Sequence, residues 1–269
     1  MKQKLIFVIS IVFLLICLFL FTGIIGKPVF VYLPLAEDKI VLLSSVDKIH
    51  VDSSKESIKS ARTVLKYNED IKSVNVSSDY MDNIHFIPQE NNIKEFVVDG
   101  RIKNWEASKY CENLEKLLLL NSNFTDFSLL ESMHKVKIIC IESSEEIKYS
   151  DFKCFECLEE LTINAPNVDI KNISNALTTE YVWIENANKI INYENIRYIS
   201  GLKRLCIIKS DIDIEFLEII STIEFDDLYI SNCHILNAES EGIIKVLEEF
   251  RKKGFTINCD NNIVNVKLK

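Results

Sequence analysis

The chain has 269 residues, 48% of them hydrophobic and 26% charged, with 31 Lys and Arg against 40 Asp and Glu and a formal net charge of −9. That much apolar material excludes global disorder, and six Gly with four Pro exclude collagen-like, elastic and Pro-rich linker architectures and argue against many tight hairpins. The acidic balance, with no basic patch beyond isolated Lys pairs, argues against nucleic acid or an anionic lipid surface as the partner of the main body.

The amino terminus stands apart in charge. Residues 1–26 hold Lys2 and Lys4 and no acidic residue, so the remainder has 29 basic against 40 acidic residues and carries −11. Leu5 to Gly26 is 22 residues without a charge, long enough as a helix to cross a hydrocarbon core of about 30 Å. A cleaved signal sequence has a shorter apolar stretch and a small-x-small exit, which Thr22-Gly23-Ile24-Ile25-Gly26 matches poorly. The expectation is an uncleaved transmembrane helix over 5–26 after a cytoplasmic stub at 1–4; a removed signal sequence is the alternative. Cys17 follows the bulky Ile16 and is followed by more apolar sequence, unlike a lipoprotein acylation site. With the lysines held inside, the body lies outside the cell, joined by a linker at 27–45.

A cap helix is predicted over 54–67, where a Ser-rich start precedes Ile58, Ala61, Val64 and Leu65 at helical spacing. From there three apolar residues recur as φ-x-x-φ-x-φ: Ile71/Val74/Val76, Ile93/Phe96/Val98, Leu114/Leu117/Leu119, Val136/Ile139/Ile141, Leu158/Leu161/Ile163, Leu202/Leu205/Ile207 and Phe225/Leu228/Ile230. Thr179/Val182/Ile184 fills the one gap, with Thr in the first slot. The starts are separated by 22, 21, 22, 22, 21, 23 and 23 residues, a period chance does not keep over eight units. Weaker units, Val46/Ile49/Val51 and Lys252/Phe255/Ile257, fit at the ends. Phe127–Met133 and Ile214–Ile220 have the helical or turn-like spacing of connecting segments. Glu239–Lys253 reads as a closing helix with Ile243, Ile244, Val246, Leu247 and Phe250 on its core face, followed by a hairpin around Asp260-Asn261-Asn262.

Period and signature resemble the leucine-rich repeat family, in a divergent form of bacterial-surface type. The resemblance covers roughly 46–258. It implies an α/β solenoid: a curved array over 46–235 with a parallel concave β-sheet and a helical or irregular convex side, closed by a cap at 236–269. Each φ-x-x-φ-x-φ segment is then a short strand that buries its apolar face only by stacking on its neighbours. The departure lies in the family's Asn/Cys slot, nine residues into each unit. It holds Asp79, Arg101, Ser122, Ser144, Pro166, Ala187, Ser210 and Cys233, while Asn121, Asn186 and Asn232 sit one residue earlier. In the family that side chain bonds backbone groups of the loop leaving the strand. Pro166 and Ala187 cannot do so, which predicts an irregular solenoid.

In this frame the fifth residue of each unit points out of the sheet, flanked by the third and seventh. The fifth column reads Asn75, Val97, Leu118, Cys140, Thr162, Trp183, Cys206 and Tyr229; the flanks add Ile138, Tyr181, Leu120 and Ile208. Glu95, Asp99, Glu142, Glu160, Glu185, Arg204 and Asp227 rim this stripe. An apolar stripe bordered by charge suits a protein-binding surface, with Val97, Leu118, Leu120, Ile138, Tyr181, Trp183, Ile208 and Tyr229 as the candidate contact residues. Same-face ladders that serve only packing are the competing explanation.

Seven of the eight cysteines lie in the body, an odd number, and Cys140 and Cys206 sit three repeats apart, too far for a disulfide. Cys154-x-x-Cys157 has no second pair and no His at ligand spacing, so both are expected as buried thiols. His50, His85, His134 and His234 fall in different slots, none in a nucleophile context, and no Gly-rich phosphate loop occurs. The sequence therefore points to a non-enzymatic, cofactor-free, single-pass membrane protein of the cell surface that binds a protein or other macromolecule on its concave face. The alternatives are a parallel β-helix carbohydrate-active enzyme, which would have few helical spacers, and a structural envelope protein without a discrete ligand.

Overall fold

The computed structural model describes residues 29–31, 40–42, 47–124, 130–143, 155–173, 178–236, 240–260 and 263–268. The expected membrane helix at 5–26, Cys17, Val46, Ser144 and Cys154 lie outside them, as do residues 127–129 of the connecting segment expected at 127–133. Among the described residues no helix is long and apolar enough to cross a membrane. The stretch expected as a linker contains a small antiparallel pair, β1 (Val29–Val31) and β2 (Ile40–Leu42), which is separate from the main sheet.

Nine strands run side by side and parallel: β3 (Lys48–Val51), β4 (Ser73–Asn83), β5 (Glu95–Asn104), β6 (Lys116–Leu120), β7 (Ile138–Glu142), β8 (Glu160–Asn164), β10 (Tyr181–Glu185), β12 (Arg204–Ile208) and β14 (Asp227–Leu236). Their φ-x-x-φ-x-φ frames are in register. Ile49, Val74, Phe96, Leu117, Ile139, Leu161, Val182, Leu205 and Leu228 stand abreast, all buried. Two residues on, Val51, Val76, Val98, Leu119, Ile141, Ile163, Ile184, Ile207 and Ile230 form a second buried ladder. Alternation puts both ladders on one face, and one core runs the length of the array. A parallel sheet cored on one side by in-register repeats fits a leucine-rich-repeat-like α/β solenoid.

On the core side the connections are mixed. Helices α1 (Lys55–Tyr67), α2 (Ile170–Ile173) and α3 (Ile214–Thr222), with short 3-10 turns at Glu106–Tyr110 and Tyr193–Tyr198, cover the ladders. The Ser54 side chain caps α1 by accepting from the Ser57 amide. Short strands β9 (Asn167–Asp169) and β11 (Lys189–Ile191) pair with each other, and β13 (Asp211–Asp213) pairs with the far end of β14. The helices α1 and α3 among these connections count against a parallel β-helix, which would have few helical spacers. A tight turn enters several strands, seen as Leu114 N–H to Cys111 O, Val136 to Met133, Leu158 to Phe155 and Leu202 to Ile199. The residue three before the first apolar slot is therefore core, and Cys111, Met133, Phe155 and Ile199 are buried. That corrects the expectation for Cys157: it falls outside this slot and is exposed, while Phe155 takes the interior.

The strand exits are more regular than the substituted Asn/Cys slot suggested. Asn121, Asn186, Lys209 and Asn232, one residue before it, have φ between 47° and 56°. The left-handed turn explains why Asn recurs there. Ala187 does not need a side-chain donor, because its own amide donates to the Ser210 hydroxyl of the next unit at 3.0 Å, and that hydroxyl donates to Ile208 O. Cys233 donates from Sγ to Ile207 O. Pro166 serves through its carbonyl, which accepts from Asn188 and Lys189.

The carboxyl-terminal cap comprises helix α4 (Ser240–Lys252) and the antiparallel pair β15 (Phe255–Asp260) and β16 (Ile263–Leu268), with β16 against β14. The expected tenth unit at Lys252/Phe255/Ile257 is thus a hairpin strand and not a parallel repeat. Ile243, Val246, Leu247 and Phe250 are buried, whereas Ile244 is 55% exposed. It stands about 100° around the helix from Ile243 and off the i, i+3, i+4, i+7 face.

Candidate functional site

The candidate contact residues all occupy the sheet face opposite the core. Val97, Leu118, Leu120, Ile138, Tyr181, Trp183 and Ile208 are half-buried on it and Tyr229 is exposed. The structure does not join them into one stripe. Val97 pairs with Leu118 and Leu118 with Cys140, with Leu120 and Ile138 alongside, giving an aliphatic patch across β5–β7. Trp183 pairs with Cys206 and Cys206 with Tyr229, with Tyr181 and Ile208 alongside, giving an aromatic patch across β10, β12 and β14. Between them β8 presents Glu160, Thr162 and Asn164.

Within the aromatic patch Tyr181 and Trp183 meet edge to face at 6.2 Å between centroids. The Arg204 guanidinium lies over the Tyr181 ring at 4.9 Å, a cation–π contact that draws a residue expected at the rim into the patch. Packing also closes parts of it. Cys206 is 4% exposed, so it lies beneath this surface and not upon it, and burial pushes its thiol up to about 12. Burial raises the Tyr181 phenol as well. The Trp183 indole nitrogen is covered and has no hydrogen-bond partner among the described residues, whereas the other tryptophan, Trp105, donates to Ile102 O within the core.

Charge around the face is arranged in cross-strand pairs. Glu95 accepts from the Ser73 hydroxyl at 2.8 Å, which with its Lys116 contact at 3.3 Å holds its carboxyl below the usual range. Lys209 lies 3.6 Å from Glu185. At the strand entries Lys94–Glu115, Lys137–Glu159 and Lys203–Glu180 link successive units at 2.6, 3.5 and 2.7 Å. Exposed pairs of this kind contribute about 0–1 kcal/mol each, so they reinforce register more than stability. Glu160 and Asp227, with Glu185, leave carboxylates beside the aromatic patch. Among the described residues no group of three or more His, Cys, Asp or Glu is placed to hold a metal ion.

No protein-family model and no curated protein matches the sequence. Among solved structures, the chain is similar to the crystal structure of an internalin from Listeria monocytogenes, at a TM-score of 0.44 and 16% identity over 74% of this chain. This chain spans 64% of that protein's length.

Proposed function

We propose that this is a single-pass membrane protein whose leucine-rich-repeat body lies outside the cell and binds a protein partner through the concave, outward face of its sheet. The observation that carries the reading is the aromatic patch. Tyr181 and Trp183 on β10 and Tyr229 on β14, the two strands that flank β12, are large amphipathic side chains on the face opposite the core, where a merely solvated sheet face would be polar. Rigid aromatic anchors on a regular scaffold suit non-covalent recognition, and the neighbouring carboxylates of Glu160, Glu185 and Asp227 favour a partner carrying basic groups. Membrane attachment rests on the 22-residue uncharged segment and its two preceding lysines. The test is capture of surface or envelope proteins by the full chain and by its Trp183→Ala/Tyr229→Ala double variant. The reading expects a saturable protein partner that the double variant no longer retains.

A further inference from the structure

At the amino-terminal end of the array two neighbouring parallel strands are long. Strands β4 and β5 run on to 11 and 10 residues, as β14 does with 10 at the other end, while β6, β7, β8, β10 and β12 have five each. Their pairing slips by one residue between Ser78 and Tyr80, leaving Asp79 as the extra residue of a bulge. Opposite it Gly100 sits at φ +125°, and a Cβ there would fall 1.7 Å from Ser78 O, so no other residue fits without moving backbone. The Ser78 hydroxyl mends the bulge, accepting from the Tyr80 amide and donating to Tyr80 O. Bulges bend the strand and re-aim the side chains beside them.

The bulge lies in an open cavity of about 930 Å³ that crosses the middle of β4 and β5 and is bounded by residues following β3 and β6. Asp79, Tyr80, Asp99, Arg101 and Asn121 contribute to its wall; Tyr80 is 53% exposed, and Asn121 donates to Asp99 at 3.0 Å. The chemistry of this wall narrows what it can take. Two carboxylates repel a phosphate or another carboxylate, and among the described residues no three His, Cys, Asp or Glu gather here to hold a metal ion. Planar amide, carboxylate and guanidinium groups beside serine hydroxyls offer paired donors and acceptors, and an exposed tyrosine ring offers a flat apolar surface. A neutral ligand dense in hydroxyls, with one apolar face per ring, satisfies all of them.

We propose that the cavity at the bulge between β4 and β5 is a binding site for a neutral oligosaccharide, held by Asp79, Arg101 and Asn121 and stacked on Tyr80. It lies at the other end of the array from the aromatic patch and is independent of the partner proposed for that face. The test is calorimetric titration of the detergent-solubilised full chain with maltohexaose, cellohexaose and chitohexaose, and with a sulfated and a sialylated oligosaccharide. The expected result is saturable binding of at least one neutral oligosaccharide, weakened tenfold or more by Tyr80→Ala and by Asp79→Ala and unchanged by Trp183→Ala. Circular dichroism checks that both cavity variants keep the native fold, as their exposed positions predict. No binding of any neutral oligosaccharide, binding of the anionic ones alone, or binding that survives both cavity variants overturns the proposal.

Discussion

Thr179 stands in the first slot of its unit, where the neighbouring units have Leu158 and Leu202. It is 0% exposed, and its hydroxyl oxygen has no hydrogen-bond partner among the described residues. Replacing it by valine exchanges the hydroxyl for a methyl at nearly constant volume. A buried, unpaired hydroxyl costs about 1–3 kcal/mol in protein mutational series, and that penalty disappears in the variant. The expected gain is therefore about 1–3 kcal/mol, a rise in melting temperature of roughly 2–12 °C at about 2–4 °C per kcal/mol for a domain of this size. Thr179→Ser keeps the unpaired hydroxyl, removes the methyl and is expected to lose about 1 kcal/mol. Differential scanning calorimetry and urea unfolding of the three proteins make the comparison. A valine variant no more stable than the parent would show that the hydroxyl is bonded in the folded protein and that the packing inferred for this unit is wrong.

The strand exits give a second test of sign. Lys209 holds φ 47° without the side-chain chemistry of Asn, so Lys209→Gly is expected to stabilise by about 0.5–1 kcal/mol, even though it gives up an exposed ion pair with Glu185; a lower urea midpoint would contradict the left-handed turn. Leu161 is fully buried at the middle of the first ladder, and Leu161→Ala should cost about 2–5 kcal/mol by the same measurement. The thiols of Cys111, Cys206 and Cys233 are raised by burial to about 12, 12 and 11. In the unfolded chain they ionise near 9, so the unfolded state releases protons that the native state keeps, and stability falls as pH rises from about 9 towards 12. In the native protein only the exposed Cys157 among these four should react rapidly with a thiol reagent, and Cys111→Val should flatten the alkaline loss of stability.

The repeat was legible because it is written in single residues. Every φ-x-x-φ-x-φ triplet names the side chains that face the core, and the register of Leu117, Ile139 and Leu161 follows from their spacing alone. Helices α1 and α3 were legible for the same reason, through apolar periodicity. The strand exits were read in part: Asn121, Asn186 and Asn232 were visible, but the left-handed backbone that selects them is a conformational fact, and Lys209 adopts it with no matching letter. The slot that makes Phe155 core and Cys157 surface was set by a turn before each strand, not by the strand pattern. On the candidate face, column membership was legible, but its division was not. Glu160, Thr162 and Asn164 interrupt the stripe only once the strands are laid side by side, and Arg204 leaves the rim because an aromatic ring attracts it. The bulge at Asp79 had no signal beyond a Gly in a strand, which marks a close backbone approach without saying what lies beside it.

The central claim is that the aromatic patch exists for a partner and not for the sheet. The decisive measurement combines capture of a protein partner with the thermal stability of Trp183→Ala/Tyr229→Ala. The account predicts that capture is abolished while the melting temperature stays within about 2 °C of the parent, since removing half-exposed side chains costs far less than opening a core cavity. A large fall in melting temperature, or capture that persists in the double variant, would contradict it and assign these side chains to packing alone.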